Sequence, residues 1–176
     1  MIKKLIETPF IVFALITAIS FSALAAAFIA EGLLGLEPCR LCIIQRYPFA
    51  FGVFCGLIGL AVHQKRKTSI GLIILCGVGY VFNSAVALYH TGVEQHWWKS
   101  TVSGCEVTFD DSDSNKSILE NIMSAPMGDC SQIPWQDPIL GLSMANWNIP
   151  FCFGLFAFCL LAAFSIIRKP SESPSS

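Results

Sequence analysis

Two cysteines spaced C-x-x-C, Cys39-Arg40-Leu41-Cys42, are the residues of this chain best suited to chemistry. Such a pair is a redox or metal device more often than a structural staple. Pro38 precedes it and supplies a turn. Cys42 falls at the expected start of a helix, whose free N–H groups and positive dipole end favour a thiolate. Arg40 and Arg46 add positive charge, and Arg46 lies four residues after Cys42, on the same helix face. Pro48 disturbs that register, because it lacks the N–H a helix interior uses. An arginine at membrane depth is costly and reads as functional unless it merely snorkels to the interface. Here it could stabilise a Cys42 thiolate and donate to a carbonyl oxygen that gains charge on reduction, such as that of a lipid-soluble quinone.

Three further groups belong with this pair. Cys105 and Cys130 flank an acidic segment containing Asp110, Asp111 and Asp113. Read alone, they are a staple closing that loop, worth about 3.5 kcal/mol on the chain-entropy model. Beside a C-x-x-C, they read as a second working pair. His90 ends the third apolar stretch in Tyr89-His90-Thr91-Gly92. It is either an ordinary interfacial residue next to the aromatic belt of Trp97-Trp98 or a polar group and proton donor beside a quinone. Metal binding is not expected. Zinc sites usually pair two close-spaced ligand couples, and Cys105 and Cys130 are not close-spaced. Cys55, Cys76, Cys152 and Cys159 lie inside apolar stretches and read as small fillers.

The elements that must hold these residues are membrane helices. Of the 176 residues, 54% are hydrophobic and 13% charged, against about 25% charged in a soluble domain. Spans of about 20 residues cross the hydrocarbon, and four are expected at 9–30, 41–62, 68–89 and 149–167. Pro150 is expected in the first turn of the last, where its missing N–H is harmless. The first run is uncharged over 22 residues, longer than the roughly 7–15 of a signal-peptide core, so it reads as a retained helix despite a possible cleavage site at Ala23-Leu24-Ala25. Lys3, Lys4, Lys65, Arg66, Lys67, Arg168 and Lys169 fall on one side of this topology. The positive-inside rule puts both termini in the cytoplasm and the loops 31–41 and 90–148 outside. The fold class expected is therefore an all-α, four-helix antiparallel transmembrane bundle with a short and a long periplasmic loop. It forms a single membrane domain over 1–170, with a disordered cytoplasmic tail at 171–176. Gly52, Gly56 and Gly59 on the second helix, and Gly71, Gly77 and Gly79 on the third, suit close packing. Ile118, Leu119, Ile122 and Met123 recur at helical spacing and suggest a short helix on the membrane surface or a turn with buried contacts. No nucleotide-binding glycine pattern is present, and no nucleic-acid partner is expected.

Taken together, the four spans, Pro38-Cys39-Arg40-Leu41-Cys42 with Gln45-Arg46, the Tyr89-His90 helix end and the loop cysteines resemble the DsbB/DsbI family of disulfide bond formation proteins. Ile133-Pro134-Trp135 and Leu140-Gly141-Leu142-Ser143-Met144 fit the same family, and the resemblance covers essentially the whole chain. It implies an enzyme of the bacterial inner membrane, a thiol–quinone oxidoreductase. The redox pairs would be Cys39–Cys42 and Cys105–Cys130, with Arg46 and His90 at the quinone. A reduced DsbA-like periplasmic thioredoxin-fold partner would attack at Cys105, and electrons would pass through a Cys39–Cys130 intermediate. Cys42 would then transfer them to ubiquinone or menaquinone. Gln45 stands where some relatives carry an acid. The alternatives are a non-catalytic tetraspan protein with stapled loops, or a vitamin-K-epoxide-reductase-like enzyme. In the latter, the C-x-x-C usually follows the loop pair, whereas here it precedes it.

Overall fold

The computed structural model describes residues 7–102, 105 and 128–168. Among these residues the helices are α1 (Pro9–Leu34), α2 (Arg40–Ile44), α3 (Arg46–Val62), α4 (Arg66–Glu94) and α5 (Met144–Arg168). With α2 and α3 taken as one stretch, these give four helices long and apolar enough to cross a membrane. No extended sheet occurs among the described residues; the one β-type contact is an isolated bridge between Gln136 and Ser143. The anticipated surface helix at Ile118–Met123 lies outside the described residues.

Each boundary has a local cause. Pro9 opens α1 at its first turn, where no N–H is needed. Gly35 closes it in the left-handed region at φ 63°, a conformation that glycine adopts without a Cβ penalty. The jog at Gln45 between α2 and α3 follows from Pro48, which has no N–H to offer the carbonyl of Ile44. Helix α4 ends where His96 turns left-handed (φ 57°) and Trp97 N–H bonds back to Gly92 O at 2.8 Å. Trp98 then folds over Gly92, where any Cβ would collide with its indole.

Two helix ends differ from the sequence expectation. Helix α4 continues through Glu94, so His90 is an interior, buried residue of the helix. Helix α5 begins at Met144, so Pro150 sits inside it and not in its first turn. The hydropathy signal fades at Asn146, Trp147 and Asn148, but Ser143 Oγ caps the helix by accepting Asn146 N–H at 3.1 Å. Beside the proline, Ser84 Oγ of α4 donates to Ile149 O at 3.1 Å and ties the two helices together.

Helix α1 packs along α3, α4 along α5, and α3 against α4 joins the two pairs. The core is built from Phe13 and Ile16 of α1, Phe49 and Cys55 of α3, Ile73 and Tyr80 of α4, and Leu155 and Cys159 of α5. Close approach rests on glycine. A Cβ would drive into Tyr80 and Ser20 at Gly52, Thr17 at Gly56 and Phe13 at Gly59. A Cβ at Gly77 would come within 3.2 Å of Cys159 Cβ, a tighter than usual contact, whereas Gly71 faces open space. Outward-facing Phe21, Phe54, Phe82 and Phe164 form an apolar exterior, as lipid contact requires. At the end carrying the α3–α4 turn, Arg66 Nη2 donates to the carbonyls of Ile166 and Ile167, capping α5. The cysteine motif lies at the opposite end.

Candidate redox site

Cys39 is the N-cap of α2: its sulfur accepts the backbone N–H of Cys42 at 3.3 Å. The two sulfurs, both free thiols, lie 3.0 Å apart. On the other side of Cys39, His90 Nε2 of α4 approaches its sulfur at 3.4 Å. Three groups therefore converge on one buried sulfur. When Cys39 is ionised, Cys42 S–H donates to it. That bond, then the hydrogen bond from His90, then the Cys42 backbone N–H, hold its pKa well below the ordinary cysteine value against the opposing cost of burial.

This differs from the expectation that Cys42 would be the thiolate beside Arg46. The helix starts at Arg40, so Cys39 occupies the cap and collects the donors. The Arg46 guanidinium is engaged elsewhere. Its Nη1 and Nη2 donate to both carboxylate oxygens of Glu31, near the end of α1, at 3.0 and 2.8 Å. Its Cζ lies over the Phe28 ring, 5.2 Å from the ring centre.

Cys105 and Cys130 form a disulfide with Cα atoms 4.9 Å apart. It packs in one apolar cluster with Cys39, Leu41 and Val93. The loop carrying it presses on the segment that leads into the C-x-x-C, since a Cβ on Gly128 would lie 3.0 Å from Glu37 O and 3.8 Å from Cys39 N. The structure thus holds one oxidised and one reduced pair side by side.

A cavity of about 620 Å³ opens beside the sulfurs, within the range of small-molecule sites. Its apolar wall includes Ala23, Ala27, Phe49 and Phe151, and its polar end includes Cys39, Cys42, Arg46 and His90. An apolar slot with polar groups gathered at one end fits a quinone: a flat ring with two carbonyl oxygens and a hydrocarbon tail. The sulfurs and the His90 ring nitrogen also lie within 4.8 Å of one another. Three ligand atoms do not complete a structural zinc site, which takes four.

Sequence reasoning missed the groups that orient this end. Glu94, one turn after His90, is buried with Oε1 3.7 Å from His90 Nε2, and its other oxygen accepts Ser143 O–H at 2.5 Å. Gln45 reaches His90 Nδ1 at 2.9 Å, and Asn148 donates to Gln45 Oε1 at 2.6 Å. The i, i+4 spacing of His90 and Glu94, and the glutamate ending an otherwise uncharged α1, were signals available in the sequence. The amide contacts were not, because Asn148 lies 103 positions from Gln45.

The family model described as "Disulfide bond formation protein DsbB" matches residues 9–162. The chain is 33% identical over 165 residues to "Disulfide bond formation protein B" of Paracidovorax citrulli, covering 90% of this chain and 87% of the relative. It is 30% identical over 182 residues to the protein of the same name from an Acidovorax strain, covering 100% and 98%. A third such protein, from Xanthomonas axonopodis, is 33% identical over 154 residues, covering 83% and 85%.

Proposed function

The chain belongs to the DsbB family of disulfide bond formation membrane proteins, and from that premise we propose how its own residues carry the reaction. It is a multi-pass membrane thiol–quinone oxidoreductase, working with a DsbA-like thioredoxin-fold partner and a quinone. The net reaction converts a partner dithiol and a quinone into a partner disulfide and a hydroquinone, moving two electrons and two protons.

The first exchange takes place at Cys105–Cys130. A partner thiolate attacks Cys105 Sγ, the S–S bond breaks, and Cys130 leaves as a thiolate. Cys130 then attacks Cys39 of an oxidised Cys39–Cys42 pair, forming a Cys39–Cys130 bond and releasing Cys42. The partner's second thiolate resolves its mixed disulfide, and return of Cys130 to Cys105 leaves Cys39 and Cys42 reduced. Stabilising the Cys39 thiolate favours the reduced form of its pair, which makes that pair the stronger oxidant. A bound quinone supplies the two-electron sink that restores the Cys39–Cys42 disulfide. Arg46 orients its carbonyl end, His90 holds the Cys39 sulfur, and the apolar wall keeps bulk water from the pair. The quinone is ubiquinone or menaquinone, the sulfurs face the periplasm, and both termini lie in the cytoplasm.

The driving force suits this role. A DsbA-type donor near −120 mV is about 180 mV more oxidising than structural disulfides below about −300 mV, roughly 8 kcal/mol for two electrons. Regenerating so strong an oxidant needs an acceptor of still higher potential, which a respiratory quinone provides and a passive staple does not.

One observation carries the reading: a reduced pair and a disulfide share one cluster, and the reduced pair opens on an apolar cavity with an arginine at its polar end. Trapping tests it. With Cys130→Ala, the free Cys105 should form a mixed disulfide with an oxidised thioredoxin-fold partner, seen as a reducible adduct of the summed mass. No adduct at Cys105, or one only at Cys39 or Cys42, would contradict the order of exchange.

A further inference from the structure

A continuous chain of polar side chains runs from the middle of the bundle to the Cys39 sulfur. It begins at Asn83 of α4, whose Nδ2 donates to the backbone carbonyl of Gln45 at 3.1 Å and to Cys152 Sγ at 3.3 Å. Cys152 S–H donates to Asn148 Oδ1 at 3.1 Å. Asn148 Nδ2 donates to Gln45 Oε1 at 2.6 Å, and Gln45 Nε2 meets His90 Nδ1 at 2.9 Å. His90 Nε2 ends the chain, 3.4 Å from Cys39 Sγ.

The direction of this chain is fixed at its origin. A backbone carbonyl only accepts, so the Asn83 nitrogen must face Gln45 O. Flipping the Asn83 amide would set its oxygen against that carbonyl, although the observed orientation leaves Asn83 Oδ1 buried with no partner among the described residues. Cys152 receives from Asn83, and its own S–H donates to Asn148 Oδ1. That sets the Asn148 oxygen inward and its nitrogen toward Gln45, which in turn points the Gln45 nitrogen at His90. An amide nitrogen only donates, so His90 Nδ1 must accept.

We infer that Cys152, Asn148 and Gln45 are positioning residues that fix His90 as the Nε2–H tautomer, a hydrogen-bond donor to the Cys39 sulfur. A second proton on Nδ1 would face the Gln45 N–H donors, so the chain opposes formation of the imidazolium. His90 then steadies the Cys39 thiolate without taking its proton. The inference deepens the reading of Cys39–Cys42 as the working dithiol and rests on it. The other titratable groups facing this sulfur and ring are Cys42, Glu94, Glu31, Arg46, Glu37 and Asp129, all on the same cavity. Glu94 Oε1 lies on the Nε2 side of the ring, 3.7 Å from that nitrogen and beyond hydrogen-bond distance.

The test uses the full chain, ¹⁵N-labelled at histidine, in detergent micelles. The chain holds three histidines, and the resonance absent from His90→Gln identifies the His90 ring. At neutral pH, His90 should carry its proton on Nε2 and none on Nδ1. Cys152→Ser, which can both accept and donate, should keep that pattern. Cys152→Ala and Gln45→Leu should lose it and populate the Nδ1–H form. In the same two variants, the apparent pKa of Cys39 alkylation should rise by about one unit, the equivalent of one weakened hydrogen bond to a charged sulfur. A packing role for Cys152 would instead make Ala at least as good as Ser in this buried site. An Nδ1–H or imidazolium His90 in the unaltered protein overturns the inference, and so does an Ala variant that matches Ser. Neither readout involves turnover, so a failure of quinone reduction would be recorded separately.

Discussion

Arg46 and Glu31 are joined by two parallel hydrogen bonds, guanidinium to carboxylate, across the mouth of the cavity that holds the cysteine sulfurs. The pair is partly exposed, so its weight is geometric more than energetic. Of the five N–H donors of a guanidinium, two are committed to Glu31 and three remain for a ligand. Glu31 thereby decides which edge of Arg46 a carbonyl oxygen meets.

Arg46→Lys should raise the apparent quinone KM with a smaller effect on the partner KM, because lysine keeps the charge and loses the planar fork. A donor lost from a site of developing charge costs about 2.7–4 kcal/mol, and partial exposure argues for the lower end or less. Glu31→Gln should raise the same KM by about three- to tenfold, by loosening the guanidinium. Varying each substrate separately in steady-state kinetics measures both effects. An unchanged quinone KM and kcat in Arg46→Lys and Arg46→Ala would return Arg46 to a snorkelling residue.

Serine at any one of Cys39, Cys42, Cys105 or Cys130 should abolish turnover, since each is a link in a two-electron relay. Serine at Cys55, Cys76 or Cys159 should leave most activity, for these thiols lie buried in the helix core. The assay is partner oxidation under excess quinone. A fully active Cys105→Ser would reduce the loop pair to a dispensable staple.

Cys39 should react as a thiolate at pH values where ordinary cysteines do not. A thiol with a pKa of about 8.5 has lost about 300-fold of its thiolate by pH 6. Cys39, whose pKa is held down by Cys42 and His90, should keep its alkylation rate there. The sign follows from the acid form. A lowered native pKa stabilises the reduced, folded protein fully above the unfolded value, and the gain fades as pH falls through the native value. Alkylation of the reduced protein by a small iodoacetamide, mapped by mass spectrometry across pH, measures it. A Cys39 profile that follows an ordinary thiol would refute the capped-thiolate geometry.

Much of this was legible in the sequence. Four apolar runs gave the bundle, because lipid leaves backbone polar groups few ways to pair. The C-x-x-C spacing marked the reactive pair. What stayed hidden was set by tertiary contact. Hydropathy could not see that α5 begins at Met144, since Asn146 and Asn148 look like loop residues until Ser143 caps them and Gln45 pairs with Asn148. Cys152 reads as a filler by composition. Its two polar partners come from Asn83 and Asn148, and only the packing of α4 on α5 brings the first within reach.

The topology is open to a direct check. Reporter fusions after Lys67 and after Asp113 should report opposite compartments, the first cytoplasmic and the second periplasmic. Two cytoplasmic readings would break the four-span arrangement and leave the cysteines on the wrong side for a periplasmic partner.

The most direct measurement is quinone reduction by the purified protein. Reduced thioredoxin-fold partner, a catalytic amount of the protein and a soluble ubiquinone or menaquinone analogue are mixed without oxygen, and quinone absorbance is followed. The account predicts one quinone consumed per partner disulfide formed, over many turnovers, with no consumption by Cys42→Ser. Partner oxidation that stops after one equivalent per protein, or that proceeds with no loss of quinone absorbance, would contradict it.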